Sequence, residues 1–153
     1  MKIKFLVDED FVNYKKPSMF IGFPHCSMKC GRKYCQNAAL VDEPDIEIEI
    51  KEIVDRYLSN DITKAIVFGG LEPLDSFDDL LNFIDLFRKQ SDDDIVIYTG
   101  YRNDEVEDKI SLLAQYKNII IKFGRYIPNQ KAHFDPVLGV DLASNNQYRV
   151  KIS

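Results

Sequence analysis

The chain has 153 residues and a formal net charge of −5, a length that fits one domain built around a single hydrophobic core. Acidic residues are scattered, and Lys and Arg form no extended cluster, which argues against nucleic acid as the main partner. No apolar run approaches the ~20 residues of a membrane span and the N-terminus carries no signal-peptide pattern, so 1–153 reads as one cytoplasmic domain away from any membrane.

In chain order, Met1 to Val7 is compatible with a first strand, and the apolar run Met19 to Phe23 with a second. The latter leads directly into a loop that holds all three cysteines, Cys26, Cys30 and Cys35. Ile50, Ile53, Val54, Tyr57 and Leu58 fall on one helical face, although the alternation Ile46-Glu47-Ile48-Glu49-Ile50 also suits a strand and leaves the helix start open. Ala65 to Phe68, Ile95 to Tyr98 and Ile119 to Phe123 are short and rich in β-branched residues, the pattern of strands buried on both faces of a parallel sheet. Between them, Ser76 stands as N-cap before a helix burying Phe77, Leu80, Leu81, Ile84 and Phe87. Asn103 precedes a helix carrying Val106, Ile110, Leu113 and Ala114. The region from Gly124 onward is irregular, with a final strand near Tyr148 to Ile152.

This alternation predicts an α/β domain of βα units with right-handed crossovers. Ligands in such folds bind at the carboxyl ends of the strands. The loops there are the cysteine loop, Gly69-Gly70-Leu71-Glu72-Pro73, Thr99-Gly100-Tyr101 and Gly124-Arg125-Tyr126. Four polar or glycine-rich loops are thus expected to share one rim.

The chemistry concentrates on the cysteines. Three clustered thiols without an export signal point to metal ligation rather than disulfides. Thiolate is the ligating form, and soft sulfur favours iron–sulfur clusters or zinc. Three thiolates can hold three irons of a [4Fe–4S] cluster and leave one iron open. A zinc site of Cys26, Cys30 and Cys35 with His25 or His133 is the alternative, a structural metal module without catalysis. The absence of a Cys-x2-Cys knuckle favours iron–sulfur without deciding it. Lys29, Arg32 and Lys33 make a small basic patch beside the thiols, readable as a solvated loop or as an anion-facing one. Gly69 and Gly70 suit a plain strand-to-loop turn, or room for a ligand to approach the backbone closely, and Glu72 offers an acceptor for an ammonium group.

Taken together these residues resemble the radical S-adenosylmethionine (SAM) superfamily. Its Cys-x3-Cys-x2-Cys loop has an aromatic before the third cysteine; here the loop is Cys-x3-Cys-x4-Cys with Tyr34 in that place. Its Gly-Gly-Glu-Pro motif is matched by Gly69-Gly70-Leu71-Glu72-Pro73, with Leu71 as an extra residue. Within the superfamily the chain is most similar to the activating proteins of anaerobic ribonucleotide reductases. Asn37 matches their Cys-His-Asn, Tyr98-Thr99-Gly100-Tyr101 their Tyr-Thr-Gly-Tyr, and Ser144-Asn145-Asn146-Gln147 their Ser-Ser-Asn-Gln. The Asp-Gly-Pro-Gly stretch of glycyl-radical activases is replaced by Asn13-Tyr14-Lys15-Lys16-Pro17.

The resemblance implies a partial (β/α) barrel of parallel strands. It makes Cys26, Cys30 and Cys35 the ligands and catalytic core of a [4Fe–4S] cluster. Gly69, Gly70 and Glu72 would hold the methionyl end of SAM, Tyr34, Thr99 and Tyr101 would line the nucleoside, and Asn37 would support the same site. The implied reaction is reductive cleavage of SAM to a 5′-deoxyadenosyl radical that acts on a large glycyl radical enzyme, with flavodoxin or ferredoxin as electron donor. The missing activase stretch leaves modification of a peptide or small metabolite as a further reading.

Overall fold

The computed structural model describes residues 1–27, 33 and 37–153. The chain opens with β1 (Lys2–Ile3) and β2 (Phe5–Asp10), then turns back into β3 (Ser18–Phe23). Beyond the cysteine loop come β4 (Ile46–Glu47), α1 (Ile50–Leu58), β5 (Ala65–Gly70), α2 (Phe77–Arg88), β6 (Asp94–Tyr98), α3 (Glu107–Leu113) and β7 (Ile119–Phe123). The hairpin β8 (His133–Asp135) and β9 (Val140–Leu142) and a last strand, β10 (Tyr148–Lys151), complete it. Among the described residues no helix is long and apolar enough to cross a membrane.

The main sheet has six strands in the order β10-β7-β6-β5-β3-β2. The four strands expected to be parallel are so, but they form an open sheet with two antiparallel edges rather than a closed barrel among the described residues. β3, β5, β6 and β7 are parallel neighbours, while β2 and β10 pair antiparallel at the two edges. Among the described residues the sheet is open, with no pairing between β2 and β10. The reason at one edge is loop length: the turn between β2 and β3 is too short for a crossover, which needs a dozen or more residues.

Because the strand order never reverses from β3 to β7, successive crossovers stack their helices on one face. Met19, Ile21, Phe23, Ile66, Phe68, Ile95, Ile97, Ile119, Ile121 and Phe123 point there and pack with α1 and α2. The interior is aromatic: Phe23 meets Phe68 edge-on at 5.5 Å, Phe68 meets Phe83 at 5.1 Å, and Phe83 stacks on Phe87 at 6.0 Å. Burial of each such ring is worth roughly 1.5–3 kcal/mol. The opposite face carries Ala65, Val67, Val96 and Ile120 and is covered by Tyr14, Leu138 and Leu142 instead of helices.

Local details follow the sequence with two adjustments. The Ile46-to-Ile50 alternation splits, its first two residues pairing with β1 and its last starting α1. Glu52 in the first turn of α1 and Arg56 in its last complement the helix dipole. Ser76 occupies the N-cap of α2 but makes no capping hydrogen bond, and its Oγ is buried without a partner among the described residues. A 3-10 turn over Pro73–Ser76 precedes α2 and is capped by the Glu72 side chain instead, so the capping role lies four residues upstream of where it was expected.

Candidate functional site

The carboxyl ends of β3, β5, β6 and β7 open onto a cavity of about 360 Å³, within the range of small-molecule sites, roughly 300–1,000 Å³. Each of the four predicted loops contributes to its wall: Cys26, then Gly69 to Glu72, then Thr99 and Gly100, then Gly124 to Tyr126. Asn37 also lines it. Cys30, Cys35 and Tyr34 lie outside the described residues. Tyr101 faces a neighbouring hollow bounded by Asp104 to Lys109.

Sheet pairing positions the start of the cysteine loop. Past the ends of β3 and β5, Leu71 N donates to Phe23 O at 3.3 Å and Glu72 N donates to His25 O at 2.7 Å. Ser27 N then donates to Asp75 Oδ2 at 2.8 Å. Cys26, partly buried, is thus held between two anchors on the Gly69-to-Asp75 segment. On the far side of the loop Asn37 Nδ2 donates to Gly70 O at 2.8 Å. His25, a candidate zinc ligand, is exposed. His133 lies on β8 with its Nδ1 buried and unpartnered among the described residues.

The paired glycines end β5 and are not a loop beyond it. Their spacing serves internal packing. A Cβ at Gly69 would lie 2.8 Å from the Phe20 ring, and one at Gly70 would lie 2.7 Å from Gly22 Cα. Gly70 also has φ +83, a conformation that side chains disfavour. The same economy at Gly22 admits the Phe5 ring, which meets Phe20 edge-on at 5.1 Å. Phe5 and Phe20 therefore form an aromatic wall of the cavity.

Glu72 is 4% exposed. Its Oε2 accepts from Gly100 N at 2.8 Å and its Oε1 from Leu74 N at 3.1 Å, which ties two rim loops together. Burial raises its pKa to about 7, against the pull of the Gly100, Leu74 and Thr99 donors. Two acceptor oxygens carry more lone pairs than these donors use, so the carboxylate can still take a ligand proton donor.

Sequence reasoning missed Lys122. It sits on β7 and lines the cavity at 8% exposure, with Nζ donating to Gly124 O at 3.1 Å and lying 5.8 Å from the Tyr98 ring centre. Burial lowers its pKa to about 8, opposed by the Glu72 charge. The signal was a lone lysine inside an otherwise apolar strand, which buried-strand logic leaves unexplained. Arg125, also on the wall, is held by a two-pronged pair with Glu105 at 2.9 Å and lies over the Tyr101 ring. That guanidinium drops the Glu105 pKa to about 2.

The Ser144-to-Gln147 segment is a clamp for the fourth loop. Gln147 Nε2 donates to Gly124 O at 3.2 Å and Asn146 Nδ2 to Arg125 O at 2.8 Å. Ser144 Oγ accepts from Ile127 N at 3.3 Å.

Three thiolates are a donor set suited to an iron–sulfur cluster, and Cys26 opens onto a cavity large enough for a second ligand. Among the described residues no group of three or more His, Cys, Asp or Glu stands together as a metal site. The family model described as a 4Fe-4S single cluster domain matches residues 6–148, nearly the whole chain. No curated protein and no solved structure matches it.

Proposed function

The chain belongs to the 4Fe-4S single cluster domain family, and from that premise we propose that it is a radical SAM enzyme of the glycyl-radical-activating type. Cys26, Cys30 and Cys35 would hold the cluster, and we read the open sheet as a segment of that superfamily's (β/α) barrel. The chemistry supplied by a bound cluster is one-electron cleavage of a carbon–sulfur bond of SAM, giving methionine and a 5′-deoxyadenosyl radical. The observation that carries the reading is the meeting, in one cavity, of Cys26 with Gly69, Gly70 and Glu72 and with Thr99.

The remaining work falls to this chain's own side chains. Glu72 accepts from the ammonium of the methionyl group, and Lys122 pairs with its carboxylate. Each buried group regains an opposite charge in doing so, which offsets the cost of its burial. Gly100, Thr99, Asn37 and Tyr101 orient the nucleoside, a role the family resemblance extends to Tyr34. Phe5, Phe20 and Leu142 make the apolar part of the cavity lining and keep water from it. Val12 lies on the cavity wall at 73% exposure and Phe11 beside it at 63%. This apolar rim suits docking of a loop from a large cytoplasmic glycyl radical enzyme, with flavodoxin or ferredoxin as electron donor.

A second reading, modification of a peptide or small metabolite, has one observation in its favour. Where activases carry Asp-Gly-Pro-Gly, this chain packs Asn13 against the cavity and buries Tyr14. Tyr98 donates to Asn13 O at 2.6 Å and Lys15 N to Leu138 O at 2.7 Å, fixing that segment as a wall.

The test is anaerobic reconstitution, reduction, and EPR with and without SAM, followed by assay of 5′-deoxyadenosine with and without a glycyl radical enzyme. A cluster signal altered by SAM, with deoxyadenosine formed, is expected; Cys30→Ala should lose both. Tightly held zinc, or a cluster indifferent to SAM, would reduce the chain to a metal-binding module. Deoxyadenosine without a protein radical would favour the second reading.

A further inference from the structure

The Asp75 carboxylate that anchors Ser27 has a second partner on the neighbouring rim loop. Asp75 lies on the 3-10 turn Pro73–Ser76 and faces the loop. Its Oδ2 accepts from Ser27 N at 2.8 Å, one residue after Cys26. Its Oδ1 accepts from Tyr101 Oη at 2.6 Å. Tyr101 in turn lies under the Arg125 guanidinium, itself fixed by Glu105. The carboxylate is therefore held from two sides in one orientation, with Ser27 tied to it.

We propose that Asp75 is a positioning residue: it fixes the backbone at Cys26 and, once a cluster is bound, holds that cluster at low reduction potential. This rests on the assignment of Cys26 as a cluster ligand. Two physical effects act in the same direction. The Ser27 amide is committed to Asp75, so it is not available to a ligand sulfur, and hydrogen bonds to sulfur raise cluster potentials by favouring the reduced form. The fixed negative charge opposes arrival of an electron nearby. A low potential is what reduction of a substrate carbon–sulfur bond requires.

The experiment has two arms. In the metal-free chain, NMR amide exchange at Ser27 should be slow in the native protein and at least tenfold faster in Asp75→Ala; equal rates overturn the positioning claim whether or not a cluster ever forms. In the iron-reconstituted chain, potentiometric EPR should give an upward shift of the midpoint for Asp75→Asn at unchanged iron and sulfide content. Tyr101→Phe, which removes a donor to Asp75 but no charge, should shift it less. An Asp75→Asn midpoint equal to the native one overturns the electrostatic claim. Failure of the native chain to bind a cluster overturns the parent assignment and with it the potential-setting role, while the exchange arm still decides the positioning role.

Discussion

The two faces of the sheet are built from the same strands yet obey opposite rules. Toward α1 and α2, alternate residues of β3 to β7 are Met, Ile and Phe, packed into one hydrophobic cluster. Toward the cavity, the intervening positions include Gly22, Gly69, Tyr98 and Lys122, covered by a turn, a hairpin and the rim loops. The first face is stabilised by burial of carbon. The second keeps an acid and a base out of water with partial compensation, and it keeps space unfilled. Stability is concentrated on one face, and the capacity to bind on the other.

The largest effect that would break this contrast is a hole in the apolar face. Phe83 touches both Phe68 and Phe87 and is fully buried. Phe83→Ala should cost about 3–5 kcal/mol, read as a lowered urea midpoint, with the cavity residues still in register if any folded protein remains. No substitution on the cavity face should match that loss.

The pH dependence of stability sharpens the contrast next, because both strongly shifted buried charges belong to the cavity face. The Glu72 carboxyl loses its proton near 4.5 when unfolded and near 7 when folded. Across that window the folded chain binds the extra proton, so stability falls as pH rises, by about 3 kcal/mol at most. Lys122 works in the other direction. Between about 8, its folded value, and 10.5, its unfolded one, the unfolded chain binds the extra proton and stability climbs with pH. Urea melts as a function of pH should show a dip near 7 to 8; Glu72→Gln should flatten its acid side and Lys122→Met its alkaline side. Unchanged slopes in both variants would mean that neither group is desolvated.

The same division explains what could be read in advance. β7 was legible to the residue, Ile119–Phe123, and α1 began at Ile50 as its apolar spacing allows, because burial against one continuous face imposes a period. The four-loop rim was legible too, since it follows from strand direction alone. Lys122 was not, because within a strand of five its charge is invisible to a pattern that counts apolar neighbours. The antiparallel edges were missed for a similar reason: β2 and β10 carry Asp8, Glu9, Arg149 and Lys151, and edge strands announce themselves weakly. The glycine pair was readable either as a plain turn or as room for a ligand; both residues line the cavity, and the space a side chain at Gly69 would need is also taken by Phe20. Such an exchange between ring and glycine across neighbouring strands needs the register Gly22↔Gly69, which only pairing supplies.

Gly70 offers a smaller test of whether the cavity face tolerates any side chain. Gly70→Ala introduces a methyl group at positive φ against the Gly22 and Phe23 backbone, where nothing flexible can move aside. The conformation alone costs about 1–3 kcal/mol, and the displaced backbone should also loosen Asn37, which donates to Gly70 O. Thermal melting should register the first effect and faster amide exchange near Asn37 the second.

The smallest effect separates the cavity face from ordinary surface. Asn37→Ala removes one hydrogen bond of 2.8 Å to a buried strand end, which should lower stability by about 1 kcal/mol. Lys51→Ala removes an exposed ion pair with Asp55 on α1, worth less than about 0.5 kcal/mol. The two differ more in salt dependence than in size. The Lys51 effect should vanish at high salt, since exposed charges are screened, whereas the Asn37 effect should persist because a neutral amide and a carbonyl carry no net charge to screen. Equal salt sensitivity in paired urea titrations would mean that Asn37 does not tie the end of the cysteine loop to the sheet.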